Sequence, residues 1–124
     1  MPNDEPKATL LLVDDEPLVR MYGVDALEDA GFEVFEASNA DEALLVLDQH
    51  DEVQLLFSDV NMPGSMNGLE LVHLVHLRWP NIRLLLTSGQ SQPSWAALPR
   101  IGYFMRKPWA QAALVQKIRD MLAA

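Results

Sequence analysis

Apolar runs of strand length alternate along this chain with segments of helical period, and that order confines it to one architecture. Ala8 to Val13, Val53 to Ser58 and Ile82 to Thr87 are short and almost wholly apolar. Strands of that kind are covered on both faces, which a parallel sheet achieves through helical crossovers. Five repeats can be counted. The first helix opens at Pro17, a residue suited to the first helical position, and stops at Gly31. In it Val19, Tyr22, Gly23, Ala26, Leu27 and Ala30 recur at helical spacing as an inward stripe. Strand two is Glu33 to Ala37. Helix two runs from Ala40 to Gln49, with Asn39 or Ser38 as its cap and Ala43, Leu44 and Leu47 facing inward. Helix three covers Leu69 to Arg78 and ends before Pro80. Strand five is Tyr103 to Met105, and a last helix spans Ala110 to Leu122, with Leu114, Ile118, Met121 and Leu122 inward. A fourth helix fits poorly: Pro93 can start one, but Pro99 would clash with the preceding turn, so Ser94 to Leu98 is expected to be short or irregular.

The charged residues follow the strands in a pattern. Asp14-Asp15 closes the first run, Asp59 the third, and Lys107-Pro108 follows the fifth. In an open parallel sheet the carboxyl ends of the strands form one rim, where ligands bind. Three carboxylates and one ammonium gathered there suit a site that holds Mg2+ and handles a phosphoryl group. Singly, each residue is ordinary. Asp14, Asp15 and Glu16 could be solvated turn residues at a helix start, Asp59 a turn former, Thr87 a satisfied strand-end hydroxyl and Lys107 a surface lysine. Glu16 and Arg106 stay in that class; for the others the joint pattern decides.

In order along the chain, Asp14-Asp15, Asp59 with Met62-Pro63-Gly64 and Gly68, Thr87-Ser88 and Lys107-Pro108 resemble the receiver domain of two-component response regulators. The likeness runs from Ala8 to Leu122. It implies an α/β, flavodoxin-like (βα)5 fold, with a five-stranded parallel sheet in order 2-1-3-4-5 and helices on both faces. It also implies a signalling domain rather than an enzyme, phosphorylated on Asp59 by a sensor histidine kinase or a histidine phosphotransfer protein and acting through a downstream protein target. Mg2+, for which Mn2+ can substitute, would be held by Asp14, Asp15, Asp59 and the Asn61 backbone carbonyl. Lys107 and the Thr87 hydroxyl would serve phosphoryl oxygens. Thr87 and Phe104, three residues before Lys107, would form the switch; Tyr103 is the lesser candidate.

The chemistry explains the residue types. A carboxylate can attack phosphorus and form an acyl phosphate if the charge gathering on the moving group is neutralised. Three acids in one crevice repel one another until a cation relieves them. Two other classes fit less well. A hydrolase of the haloacid dehalogenase type needs a second Asp two residues after the nucleophile, where Asn61 stands. A flavin binder needs a phosphate-cradling loop after the first strand, which Asp14-Asp15-Glu16 would repel. A pseudo-receiver that only binds partners stays open, as does the receiver part of a larger kinase or transcription factor. The Met1 start and an end just past the last helix point to a complete product.

Composition narrows the partners. The chain has 124 residues, room for one domain, with 1–7 expected as a disordered or extended tail and 8–124 as the receiver. A net charge of −9 repels a phosphate backbone, so no direct contact with nucleic acid is expected. There is no cysteine, no signal peptide and no apolar run of membrane-spanning length, which fits a cytoplasmic protein away from membranes. His73 and His76 lack further ligands for zinc, and Trp79, Trp95 and Trp109 read as packing or partner-contact residues. Two departures from the resemblance stand out. Pro63 to Gly68 makes the loop after Asp59 one residue longer than is commonest, and the two prolines fall where the family's output surface lies. Gly89 puts no side chain over the pocket, so the phosphoryl lifetime is expected not to be specially prolonged.

Overall fold

A computed structural model describes residues 7–89 and 102–124. The strands are β1 (Thr9–Val13), β2 (Glu33–Ala37), β3 (Val53–Asp59), β4 (Arg83–Ser88) and β5 (Tyr103–Arg106). The helices are α1 (Pro17–Asp29), α2 (Ala40–Gln49), α3 (Gly68–Arg78) and α4 (Gln111–Ala123), the last being the fifth helix of the sequence pattern. The expected short fourth helix at Ser94 to Leu98 and most of the expected tail at 1–7 lie outside the described residues. All strand pairs are parallel, in the order β2-β1-β3-β4-β5. Among the described residues no helix is long and apolar enough to cross a membrane.

Alternation along each strand sorts the core into two layers. Leu11, Val13, Leu56, Leu84 and Leu86 pack with Ala43 and Leu47 of α2 and with Leu71, Val72 and Val75 of α3. Leu10, Leu12, Leu55, Phe57 and Leu85 pack with Leu27 of α1 and with Leu114, Ile118 and Met121 of α4. Each fully buried side chain of this kind contributes about 1.5–3 kcal/mol by leaving water. The outer strands differ: β2 and β5 carry half-buried and exposed residues where β1, β3 and β4 are almost wholly buried.

Local chemistry fixes the element ends. Pro17 opens α1, but Glu16 makes no side-chain cap there. Asn39, not Ser38, caps α2 by accepting from the Glu42 N–H at 2.9 Å; Ser38 instead donates to the Glu42 carboxylate. Those donors hold the Glu42 carboxyl below its usual range, the Ser38 backbone N–H first. Asn67 and Glu70 form a reciprocal capping box on α3, which the sequence reading did not foresee. Gly31 takes φ +98° where α1 turns into β2, a conformation that a side chain disfavours. In α1, Gly23, Ala26 and Leu27 are buried as expected, whereas Tyr22 is 48% exposed. Leu44 and Leu122, expected inward, are half-buried.

Candidate functional site

The pleat of the sheet carries the site. Leu12, Phe57, Leu85 and Met105 all pack on the α1–α4 side, and two residues further along the same strands stand Asp14, Asp59, Thr87 and Lys107. A step of two keeps the same face, so four distant segments bring these side chains to one end of one layer. The register agrees, with Asp59 paired to Thr87 and Thr87 to Met105.

Asp14 and Asp59 are 3% and 4% exposed, and Asp15 is half-buried. One carboxylate oxygen from each of Asp14, Asp15 and Asp59 lies within 4.8 Å of the others. Lys107 reaches into the cluster, its Nζ 3.0 Å from Asp14 Oδ2 and 3.3 Å from Asp59 Oδ2. Burial pushes the Asp59 carboxyl above its ordinary range; Lys107 and the Asn61 N–H pull it down, and Asp14 pushes it further up. Burial alone would lower the Lys107 ammonium, but the hydrogen bond to Asp14 and the charges of Asp59 and Asp14 outweigh it, so it is raised.

Backbone contacts hold the frame. Asn61 N–H donates to Asp59 Oδ1 at 3.2 Å, Glu16 N–H to Asp14 Oδ1 at 2.9 Å, and Val60 N–H to the Thr87 carbonyl at 2.9 Å. Lys107 N–H donates to the Ser88 carbonyl at 3.0 Å, and the Lys107-Pro108 peptide is cis. At Gly68 the chain passes so close to the end of β3 that a Cβ would run into the Asp59 carbonyl and the Val60 Cα. Only glycine lets α3 start there. The Thr87 Oγ1 is buried with no hydrogen-bond partner, a condition that costs about 1–3 kcal/mol for a hydroxyl left dry. It stands paired in register with Asp59.

The crevice, about 370 Å³, is lined by Asp15, Glu16, Asp59, Asn61, Gly89 and Lys107. Hard oxygen donors from three acids suit Mg2+, which takes one or two carboxylates and keeps waters. The burial that lifts Asp59, with the Asp14 charge adding to it, and the orphaned Thr87 hydroxyl fit a divalent cation beside an oxygen-rich ligand.

The expected residues Asp14, Asp15, Asp59, Asn61 and Lys107 thus meet at one crevice, with Thr87 in register beside Asp59. Phe104 lies apart, half-buried against the α2–α3 layer, while Tyr103 is 55% exposed under the Lys117 ammonium. Three contacts escaped the sequence reading, two of them at residues already named there, Glu16 and Ser88, and one at Arg20. Glu16 is not merely a solvated turn residue, since its Oε1 lies 3.6 Å from Lys107 Nζ. Ser88 takes the Asn61 side-chain amide at 2.9 Å, and Arg20 binds the Asp14 carbonyl at 2.7 Å. Only the place of Ser88 beside Thr87 and of Arg20 one turn into α1 signalled them. His73 is exposed on α3, and Trp109 is buried between Tyr22 and Phe57.

Residues 10–119 match the response regulator receiver domain family. The chain belongs to that family. It is 38% identical over 120 residues to the sensor kinase CckA of Brucella abortus, covering 93% of this chain but 12% of that kinase. It is 32% identical to a chemotaxis protein CheY homolog of Campylobacter jejuni, covering 91% of both. The crystal structure of Vibrio cholerae chemotaxis protein CheY4 superposes with a TM-score of 0.83 at 28% identity, covering 94% of this chain and 99% of that one. The flavodoxin-like order of strands and the phosphoacceptor signalling role implied by the residues are therefore those of this receiver.

Proposed function

We propose that this receiver takes a phosphoryl group onto Asp59 from a phosphohistidine and signals through protein contacts. The observation that carries the reading is the convergence of Asp14, Asp15, Asp59 and Lys107 on one crevice, with an unpartnered Thr87 hydroxyl beside it. An Asp59 carboxylate oxygen attacks phosphorus, the new O–P bond forms, the P–N bond to the donor imidazole breaks, and its electron pair leaves with the ring. The Asn61 N–H on Oδ1 orients the carboxylate for that attack. Asp14, Asp15, Asp59 and the Asn61 carbonyl would hold Mg2+, or Mn2+ in its place. When bound, the cation neutralises charge on the transferring group. Lys107 needs only a small swing of its ammonium to exchange Asp59 for a phosphoryl oxygen, and Thr87 supplies a donor to another.

The partners are a sensor histidine kinase or histidine phosphotransfer protein and a downstream protein, with no direct contact with nucleic acid or membrane. The acidic charge of −9 and the kinase and CheY relatives support this, as they do a cytoplasmic place. The receiver unit is taken to span residues 8–124, around the family match at 10–119. Thr87 and Phe104 make the switch: when Thr87 turns toward the phosphoryl group, the end of β4 shifts, and Phe104 on the adjoining strand repacks. The phosphoryl lifetime is not specially prolonged, because Gly89 lines the mouth without a side chain.

The test is to incubate the protein with Mg2+ and acetyl phosphate and read the intact mass. Added phosphate on the wild type and none on Asp59→Asn is expected; labelling that persists in Asp59→Asn would end the assignment, and a wild type that never labels would favour a pseudo-receiver.

A further inference from the structure

Asp14 is gripped at every polar atom. Its N–H donates to the Ala37 carbonyl at 3.1 Å, its carboxylate takes the Glu16 N–H and the Lys107 ammonium, and its carbonyl takes an Arg20 N–H at 2.7 Å. Of the other three partners, Ala37 lies on the neighbouring β2, Glu16 on the site's own loop and Lys107 just past β5. Arg20 alone comes from the helix, and it is itself anchored, since its Nε donates to Glu36 Oε1 on β2 at 3.0 Å. The side chain is only 20% exposed, so the guanidinium is fixed rather than waving in solvent. One fork therefore ties α1, the β1–α1 turn and β2 together at the residue from which Asp15 and Glu16 depart.

The geometry points to Arg20 as a positioning residue that holds the Asp14-Asp15 turn in the shape that accepts a divalent cation. This rests on the cation reading of the crevice given above. Arg20 touches neither the cation nor the phosphoryl group; it acts through the Asp14 backbone. Planarity matters, because a guanidinium presents two N–H groups in a fixed fork and can serve Asp14 and Glu36 at once, which a lysine ammonium does less well. Supporting partners of this sort change metal affinity by roughly 10–100-fold in other sites.

The sign of the effect separates this role from a merely electrostatic one. A positive charge near a cation site repels the cation, so deleting Arg20 should tighten Mg2+ binding if charge were all that mattered. If Arg20 positions the turn, deletion should loosen it. Mg2+ is titrated into wild type, Arg20→Met, Arg20→Lys and Glu36→Gln, with affinity read from amide NMR shifts and, independently, from calorimetry. The expected order is wild type tightest, Glu36→Gln weaker by a fewfold, Arg20→Lys weaker still, and Arg20→Met weaker by roughly tenfold. Arg20→Lys keeps the positive charge and gives up the planar fork, so it keeps the test decisive if Arg20→Met does not fold. Affinity unchanged or tighter in Arg20→Met, or unchanged in Arg20→Lys where that is the folded variant, overturns the positioning role. A wild type that binds no Mg2+ overturns the cation reading instead, and with it this inference.

Discussion

The middle of the sheet and its carboxyl rim are made by the same strands and do opposite things. In the middle, Leu11, Leu55, Leu56, Phe57 and Leu85 are at most 1% exposed and contain nothing that needs a polar partner. At the rim, Asp14, Asp59 and Thr87 are buried nearly as deeply, yet they are two carboxylates sharing one ammonium and a hydroxyl with no partner. Burying apolar surface stabilises the fold, whereas burying like charges opposes it. The difference teaches where the stability of this receiver comes from and where it is given up: the layers beneath the rim hold together what the rim, without a cation, would push apart.

The largest break in that comparison comes from the middle. Phe57→Ala should cost about 3–5 kcal/mol in urea unfolding, since it opens a cavity under Trp109 directly below the site. A loss below about 1 kcal/mol would mean that the layer does not support the rim. Next comes the rim's own stabiliser: Mg2+ at about a hundredfold excess over its Kd should add about 2.7 kcal/mol, and Asp15→Asn should lose most of that gain in thermal melts. Gly68→Ala should cost about 2 kcal/mol and also slow phosphoryl acceptance, because the added Cβ displaces the Asp59 backbone rather than an idle loop. Unfolding and labelling rates measured together would separate the two effects. Smallest is Ser65→Ala, which removes an exposed hydrogen bond to Asp41 at 2.8 Å and should cost under about 1 kcal/mol.

Most of the middle was legible from the sequence because period carries it. Runs such as Leu10 to Val13 admit only a doubly covered strand, and the order of strands followed from the motifs that resemble a receiver. The acids of the rim were legible too, each standing just past such a run. The framing contacts were not. Arg20 reaches Asp14 through a backbone carbonyl and Ser88 holds Asn61 by a hydroxyl, and neither bond leaves a periodic or compositional trace. The ends of elements moved by a residue for the same reason: Gly68 rather than Leu69 opens α3, as the capping box of Asn67 and Glu70 dictates. Tyr22 sits at helical spacing with the stripe of α1 but at its margin, where it stacks on Trp109 with one face open to water.

Asp59 offers the most direct measurement of the central claim that the rim trades stability for a cation and a phosphoryl group. Its carboxyl is raised above the ordinary value of 3.8, so the folded state holds the proton more tightly than the unfolded chain does. The penalty is therefore absent below that ordinary value, grows as pH rises through the window between the ordinary and the raised value, and is full above it. Metal-free Asp59→Asn should melt about 2–6 °C above wild type at neutral pH, the shift that about 1 kcal/mol produces in a domain of this size. The gain should fade as the solution is acidified below the ordinary carboxylate value, and saturating Mg2+ should restore the wild type to parity or better. A metal-free Asp59→Asn that melts below the wild type at neutral pH would contradict the account.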